Sequence, residues 1–150
     1  MERTLIIVKP EGVQRGLVGQ VLARLEQRGL KLVGLKMVHI TPELAERHYS
    51  IHRGKPFFAG LVRHITSSPV VVGVVEGPRA ISVVRTTMGA TNAAEAIPGT
   101  LRGDYALEIG FNLIHGSDGP ETARSEIELF FRAEELVEYT LATQRWIYEE

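Results

Sequence analysis

The run Phe111-Asn112-Leu113-Ile114-His115-Gly116-Ser117-Asp118-Gly119 carries one histidine on an apolar approach into a turn of small residues, and a helical pattern starts directly after it. A lone histidine at a strand end is more often structural than reactive, so its meaning depends on what stands near it. Lys9 ends an apolar run, Arg85 ends a helical pattern, and Arg102 shares a Gly-, Thr- and Pro-rich stretch with Thr91. If the first strand is central and the strand ending at His115 is its neighbour, Lys9 and His115 approach each other. An ammonium, two guanidiniums, a hydroxyl and an imidazole together suit phosphate. The cations bind its oxygens and stabilise charge as a phosphoryl group moves. An imidazole, with a reference pKa of about 6.5, keeps a lone pair at neutral pH and can take up that group covalently.

Other chemistries have weaker support. Gly54-Lys55-Pro56 is no P-loop, because the flanking Gly and Ser/Thr are missing. His48 and His52 are helically spaced, but Tyr49 stands where a zincin has glutamate and no third ligand is evident. His39, His48, His52 and His64 therefore read as surface or capping residues. Arg102-Gly103-Asp104-Tyr105-Ala106 departs from the RNA-binding sheet motif at its aspartate.

The 150 residues fit one domain, residues 1–150, with ordinary hydrophobic (44%) and charged (23%) content. A net charge of −1 offers no broad basic field to nucleic acid or membrane. The absence of cysteine removes disulfides and thiolate chemistry. The apolar stretch before Lys9 is too short for a signal-peptide core, and Val70–Val75 falls far short of the roughly 18 residues of a membrane span. A soluble, cytoplasmic protein is expected.

The elements that must carry these residues follow from periodicity. Thr4–Val8 and Val70–Val75 are continuous β-branched runs, the pattern of buried strands. Val18, Val21, Leu22 and Leu25 mark a helix closed by Gly29, and Leu30–Ile40 reads as a strand with imperfect alternation. Thr41-Pro42 opens a helix running to about Tyr49; further helices cover Phe57–Ile65 and start at Pro78 and before Ala123. Gly89–Gly110 shows no helical period and reads as a long functional loop, and Leu113–His115 as a short last strand. The order predicts an α+β ferredoxin-like sandwich: a four-stranded antiparallel sheet covered by helices on one face, with a long loop before the last strand.

Read in order, several stretches resemble the nucleoside diphosphate kinase family nearly end to end: Thr4 through Gly19 (TLIIVKPEGVQRGLVG), His48-Tyr49, Lys55-Pro56-Phe57-Phe58, Gly89-Ala90-Thr91-Asn92, Pro98 through Asp104 (PGTLRGD), and Asn112 through Asp118 (NLIHGSD). The resemblance implies that His115 takes the γ-phosphoryl of one nucleoside triphosphate and passes it to a nucleoside diphosphate in a ping-pong reaction. It implies Lys9 and Asn112 at the ribose 3′-hydroxyl and nearby phosphate oxygens. Tyr49, Arg85, Thr91 and Arg102 would surround the phosphates, and Phe57 and Ile109 the two faces of the base. Glu126 would hold the far nitrogen of His115, and Ser117 would lie close to the transferred group. From the helix pattern alone, Glu126 is an ordinary exposed glutamate. Mg²⁺ would arrive on the nucleotide phosphates. Stacking on Phe57 tolerates any base, so broad base specificity follows. A homo-oligomer is implied, a hexamer with tetramer or dimer as alternatives. A ferredoxin-like binding module without catalysis is the reading from another class.

The chain departs from the family pattern at Phe111, where arginine is usual, at Gly119 for serine and at Ala93 for proline. Asn112 poses a geometric problem: in an ideal strand it would face away from His115, so the chain must bend there. The apolar end, Trp146-Ile147-Tyr148, is expected to dock on its own subunit or on a neighbour.

Overall fold

The structure, a computed structural model, describes residues 1–149. Its elements run β1 (Glu2–Val8), α1 (Pro10–Gln14), α2 (Val18–Gln27), β2 (Lys31–Val38), α3 (Pro42–His48), α4 (Phe58–Thr66), β3 (Val70–Gly77), α5 (Ala80–Met88), α6 (Leu101–Tyr105), β4 (Ile114–Gly116) and α7 (Pro120–Phe130). The sheet order is β2-β3-β1-β4, and every pairing is antiparallel. This is the ferredoxin-like arrangement that the element order predicts, with β1 central.

Helices cover both faces of the sheet, not one. Ile6 and Val8 of β1 and Val71 and Val75 of β3 pack with α2, α5 and α6 through Val21, Leu25, Val84, Met88 and Leu101. The alternate residues Leu5, Ile7, Val70, Val72 and Val74 pack with Ala45, Ile65 and Phe130 of α3, α4 and α7. The continuous apolar runs of β1 and β3 carry this information, because a half-solvated strand would alternate. Burial of Leu5, Ile6, Ile7 and Val8 is complete.

Local departures have local causes. The broken alternation of β2 is a register shift between Leu32 and Gly34. There Val33 O accepts from Val137 N (2.8 Å), so the C-terminal segment straps the irregular strand. The stretch Gly89–Gly110 is no simple loop: Thr100 Oγ1 accepts from Gly103 N (3.0 Å) and caps α6, a helix of five residues that is too short to show a period. The helix expected from Pro78 starts at Ala80, because Arg79 occupies the left-handed region (φ 52°). Ile147 packs on Gly29 of its own chain, while Trp146 stays exposed.

Thr41 caps α3 as its sequence predicts, its hydroxyl accepting from Leu44 N (3.2 Å). α7 lacks such a cap. Gly119 at its N-cap is extended (φ −170°), makes no capping bond and has open space where a Cβ would stand. Gly119→Ser is therefore expected to stabilise the fold by a few tenths of a kcal/mol, raising Tm by about 1 °C in a thermal melt. A lower Tm would mean that the hydroxyl does not reach the N-terminal amides of α7.

Candidate active site

The central position of β1 brings the predicted chemistry together. Ile7 pairs with His115 across the β1–β4 ladder, and Lys9 N donates to Leu113 O (2.9 Å). The bend required by Asn112 lies at Leu113, whose φ of 79° is the left-handed region that a branched side chain avoids. Ile114 N donates back to Asn112 O (2.9 Å), closing a three-residue turn. The strain, about 1–3 kcal/mol, persists because neighbours over-determine it. Leu113 is fully buried, and its N–H donates to Glu11 Oε2 (3.2 Å). His64 Nε2 fixes the other Glu11 oxygen (2.8 Å). The turn swings Asn112 inward, where Oδ1 accepts from Lys9 Nζ (2.7 Å) and Nδ2 donates to Thr91 O (2.9 Å).

His115 lies three-quarters buried with Nε2 at 3.0 and 2.9 Å from the two Glu126 oxygens. An ionised carboxylate can only accept, so Nε2 carries the proton and Nδ1 keeps the lone pair. Glu126 is itself fixed by Ser117 Oγ, which donates to Oε1 (2.6 Å). Burial works to raise the Glu126 carboxyl, but the hydrogen bonds from His115 and Ser117 outweigh it and hold the group below its ordinary value. Ser117 reaches His115 through that carboxylate. Its hydroxyl is fully buried and accepts from Leu5 N (3.3 Å).

A cavity of about 560 Å³ opens in front of His115. Its lining includes Lys9, Tyr49, Phe57, Arg85, Thr91, Arg102, Ile109, Asn112 and Glu126, so every predicted site residue except Ser117 meets there. Burial pushes the Lys9 ammonium down to about 8, with Glu11 opposing and Arg102 adding to the shift. Burial pushes the Tyr49 phenol up to about 12, which keeps it a donor. Arg85 donates to Gly116 O (3.2 Å). Arg102 is more structural than a loop cation would be. Its Nε and two terminal nitrogens donate to Asn112 O (3.0 Å), Gly89 O (3.0 Å) and Ile114 O (2.7 Å), leaving two N–H groups of the fork for a ligand. Phe57 and Ile109 are more than half exposed in the lining, apolar surface that water covers poorly.

One residue of this site was not foreseen. His48, read as a surface or capping histidine, has a 2% exposed side chain. Its ring meets His115 edge to face at 4.9 Å and Phe130 at 5.4 Å, and its Nδ1 stands 3.4 Å from Glu126 Oε2. Burial, then His115, pushes it down to about 4, so it is a neutral imidazole. The signal was present in Ala45, whose burial face on α3 recurs three residues later at His48. His64 is likewise engaged, with Glu11, and Phe111 packs edge-on against it at 5.1 Å where the family pattern has arginine.

Comparison with known proteins agrees with this geometry. A family model described as nucleoside diphosphate kinase matches residues 2–136. The chain is 67% identical over 147 residues to a nucleoside diphosphate kinase of Thermomicrobium roseum, covering 98% of this chain and 99% of that one. It is 59% identical to one of Archaeoglobus fulgidus, over 100% and 99%. Among solved structures, a halophilic nucleoside diphosphate kinase from Halobacterium salinarum in complex with CDP superposes with a TM-score of 0.96 at 53% identity, covering 99% of each chain.

Proposed function

The chain belongs to the nucleoside diphosphate kinase family, and on that premise we propose that it moves a γ-phosphoryl group from a nucleoside triphosphate to a nucleoside diphosphate through a phosphohistidine at His115. The observation that carries this is the pairing of His115 Nε2 with Glu126, which leaves the Nδ1 lone pair for a cavity lined by Lys9, Arg85 and Arg102. Nδ1 attacks the γ-phosphorus in line, and the bond to the β,γ-bridging oxygen breaks with its electrons leaving on the nucleoside diphosphate. The phosphorylated ring is cationic while Nε2 keeps its proton, and the Glu126 carboxylate stabilises that charge. A second nucleoside diphosphate then attacks the same phosphorus through a terminal oxygen and restores the free imidazole. Both half-reactions use one site, hence ping-pong order. Lys9, Arg85, Arg102, Tyr49 and Thr91 hold phosphate oxygens, and Asn112 with Lys9 the ribose hydroxyl. The lining fits a cation carried by the substrate: Asp118 is the carboxylate there besides Glu126, and Mg²⁺ on the phosphates would offset their charge.

The test is to incubate the protein with γ-labelled ATP and Mg²⁺, then quench in acid and in alkali. Label that survives alkali, is lost in acid and passes to GDP or CDP is the expected result. Nucleotide binding without label would leave a binding module and sink the reading. Phe57 and Ile109 support broad base specificity, because both offer apolar surface and neither can read a base edge. The same assay with ADP, GDP, CDP and UDP as acceptors tests it.

Lys9 makes the reaction pH-dependent. Its ammonium is lost as pH rises through about 8 in the free protein, and phosphate binding requires the charged form. KM for nucleotide is therefore expected to climb above pH 8, approaching about tenfold per pH unit. In Lys9→Arg, whose charge is permanent, that limb should flatten. A KM independent of pH up to 9.5 in the parent would exclude Lys9 from phosphate binding.

We also propose a hexamer. The outer edge strand β2 leaves Leu35 and Met37 exposed, and Ile97, Leu107 and Trp146 add further exposed apolar area. Light scattering on a sizing column should give six times the 16.6 kDa chain mass; a monomer would refute it.

A further inference from the structure

We propose that His48, His115 and Glu126 form a binding site for a first-row transition cation of the Zn²⁺ class, and that its occupancy switches phosphoryl uptake off. Only the second half rests on His115 as nucleophile. The ligand atoms come from three distant elements, α3, β4 and α7, and all lie within 4.8 Å of one another. His115 Nε2 is 2.9 Å and His48 Nδ1 3.4 Å from Glu126 Oε2. A tetrahedral Zn²⁺ with ligands at about 2.0–2.1 Å sets its donors roughly 3.3 Å apart, so the trio needs shifts of about an ångström.

A second observation points into the same space. His48 Nδ1 is buried with no hydrogen-bond partner, an arrangement that costs free energy when nothing binds it. The donor set selects the cation. Two imidazoles and one carboxylate with an open fourth position match zinc-type sites, while Mg²⁺ demands oxygens and keeps its waters. Substrate-borne Mg²⁺ therefore does not compete.

Access is also present. His48 and Glu126 line the nucleotide cavity and also a second one of about 670 Å³, bounded by Arg47, Ser50, Arg53 and Ser125. Glu126 can lend Oε2 to a cation while Oε1 keeps the Ser117 hydroxyl. The consequence for chemistry is tautomeric. A cation on His115 takes the Nε2 lone pair, so the single proton of the neutral ring moves to Nδ1. The lone pair that attacks phosphorus is then gone, with no net change in protons bound.

Co²⁺ serves as the probe, because its visible absorption is intense when tetrahedral and weak when octahedral. Titrating metal-free protein should give a tetrahedral band saturating at one Co²⁺ per chain and bleached by Zn²⁺. His48→Gln and Glu126→Gln should each weaken binding at least tenfold, with His39→Gln unchanged. Circular dichroism checks folding, and Glu126→Gln carries the test if His48→Gln does not fold. A weak octahedral spectrum, or equal affinity in all variants, overturns the site. In the parent, one equivalent of Zn²⁺ should abolish uptake of label from γ-labelled ATP in excess Mg²⁺, with recovery on chelation. Cobalt bound at the trio with label uptake unaffected overturns the switch. Failure to label in the absence of Zn²⁺ refutes the phosphohistidine instead, and the cobalt titration still judges the site.

Discussion

His115→Ala is expected to take up no phosphoryl label and to lose at least about 10⁴-fold in turnover, the scale on which removal of a nucleophile acts. No neighbour can substitute. The Ser117 hydroxyl is buried and its proton is committed to Glu126. His48 has a 2% exposed side chain, held edge to face against the His115 ring. Nucleotide binding should survive, because Lys9, Arg85, Arg102 and Phe57 keep their positions without the imidazole. Stability should change by no more than about 1 kcal/mol, since His115 is partly exposed and Glu126 retains Ser117. Stopped-flow labelling and ADP calorimetry on the variant separate these effects. Acid-labile phosphate remaining on His115→Ala would move the nucleophile elsewhere, and loss of ADP binding would make the defect one of folding.

How legible this site was depends on whether a residue's role is local. Lys9 at the end of a continuous apolar run, Thr41-Pro42 as a cap and the β4 turn after His115 are local signals, and each element formed close to where its pattern put it. The problem with Asn112 was also readable, as a demand for a bend, and Leu113 meets that demand. That a leucine could hold φ 79° was not readable, because the clamp is Glu11, on α1, with His64 behind it from α4. His48 failed for the same reason. Its neighbours His115, Glu126 and Phe130 come from β4 and α7, so spacing along α3 says only that it faces inward. Only the resemblance puts Ser117 close to the transferred group; its contacts with Leu5 N and Glu126 come from the register of Ile6 with Gly116 and from α7, which spacing does not show. Of the departures, Gly119 proves to stand in open space, and Ala93 is buried in a short turn that Asn92 caps.

The largest stability effect is expected at Gly103, a residue that the sequence offers only as part of a motif. A Cβ there would stand 2.1 Å from Ile97 O and 2.5 Å from Ile97 C, which are backbone atoms that no rotamer can move aside. Ile97 O is also fixed by Thr100, accepting from its N (3.1 Å) and its Oγ1 (2.6 Å). Gly103→Ala must therefore displace either that turn or α6, at a cost of about 3 kcal/mol, a fall in Tm of roughly 10 °C. The displacement reaches the active site through the preceding residue. Arg102 ties the carbonyls of Gly89, Asn112 and Ile114 together, so shifting α6 loosens the strained turn before His115 along with the cations that line the cavity. kcat/KM should fall more than tenfold even at temperatures where the variant is folded. Gly110→Ala is the control, since nothing lies within 4 Å of its Cβ position, and it should melt within about 0.5 kcal/mol of the parent. If Gly103→Ala melts like Gly110→Ala, α6 yields easily and Arg102 is not the strut its three carbonyls suggest. If it melts low while kcat/KM holds, the strut serves the fold alone, and the reactive geometry of His115 depends on Glu11 and Glu126 without it.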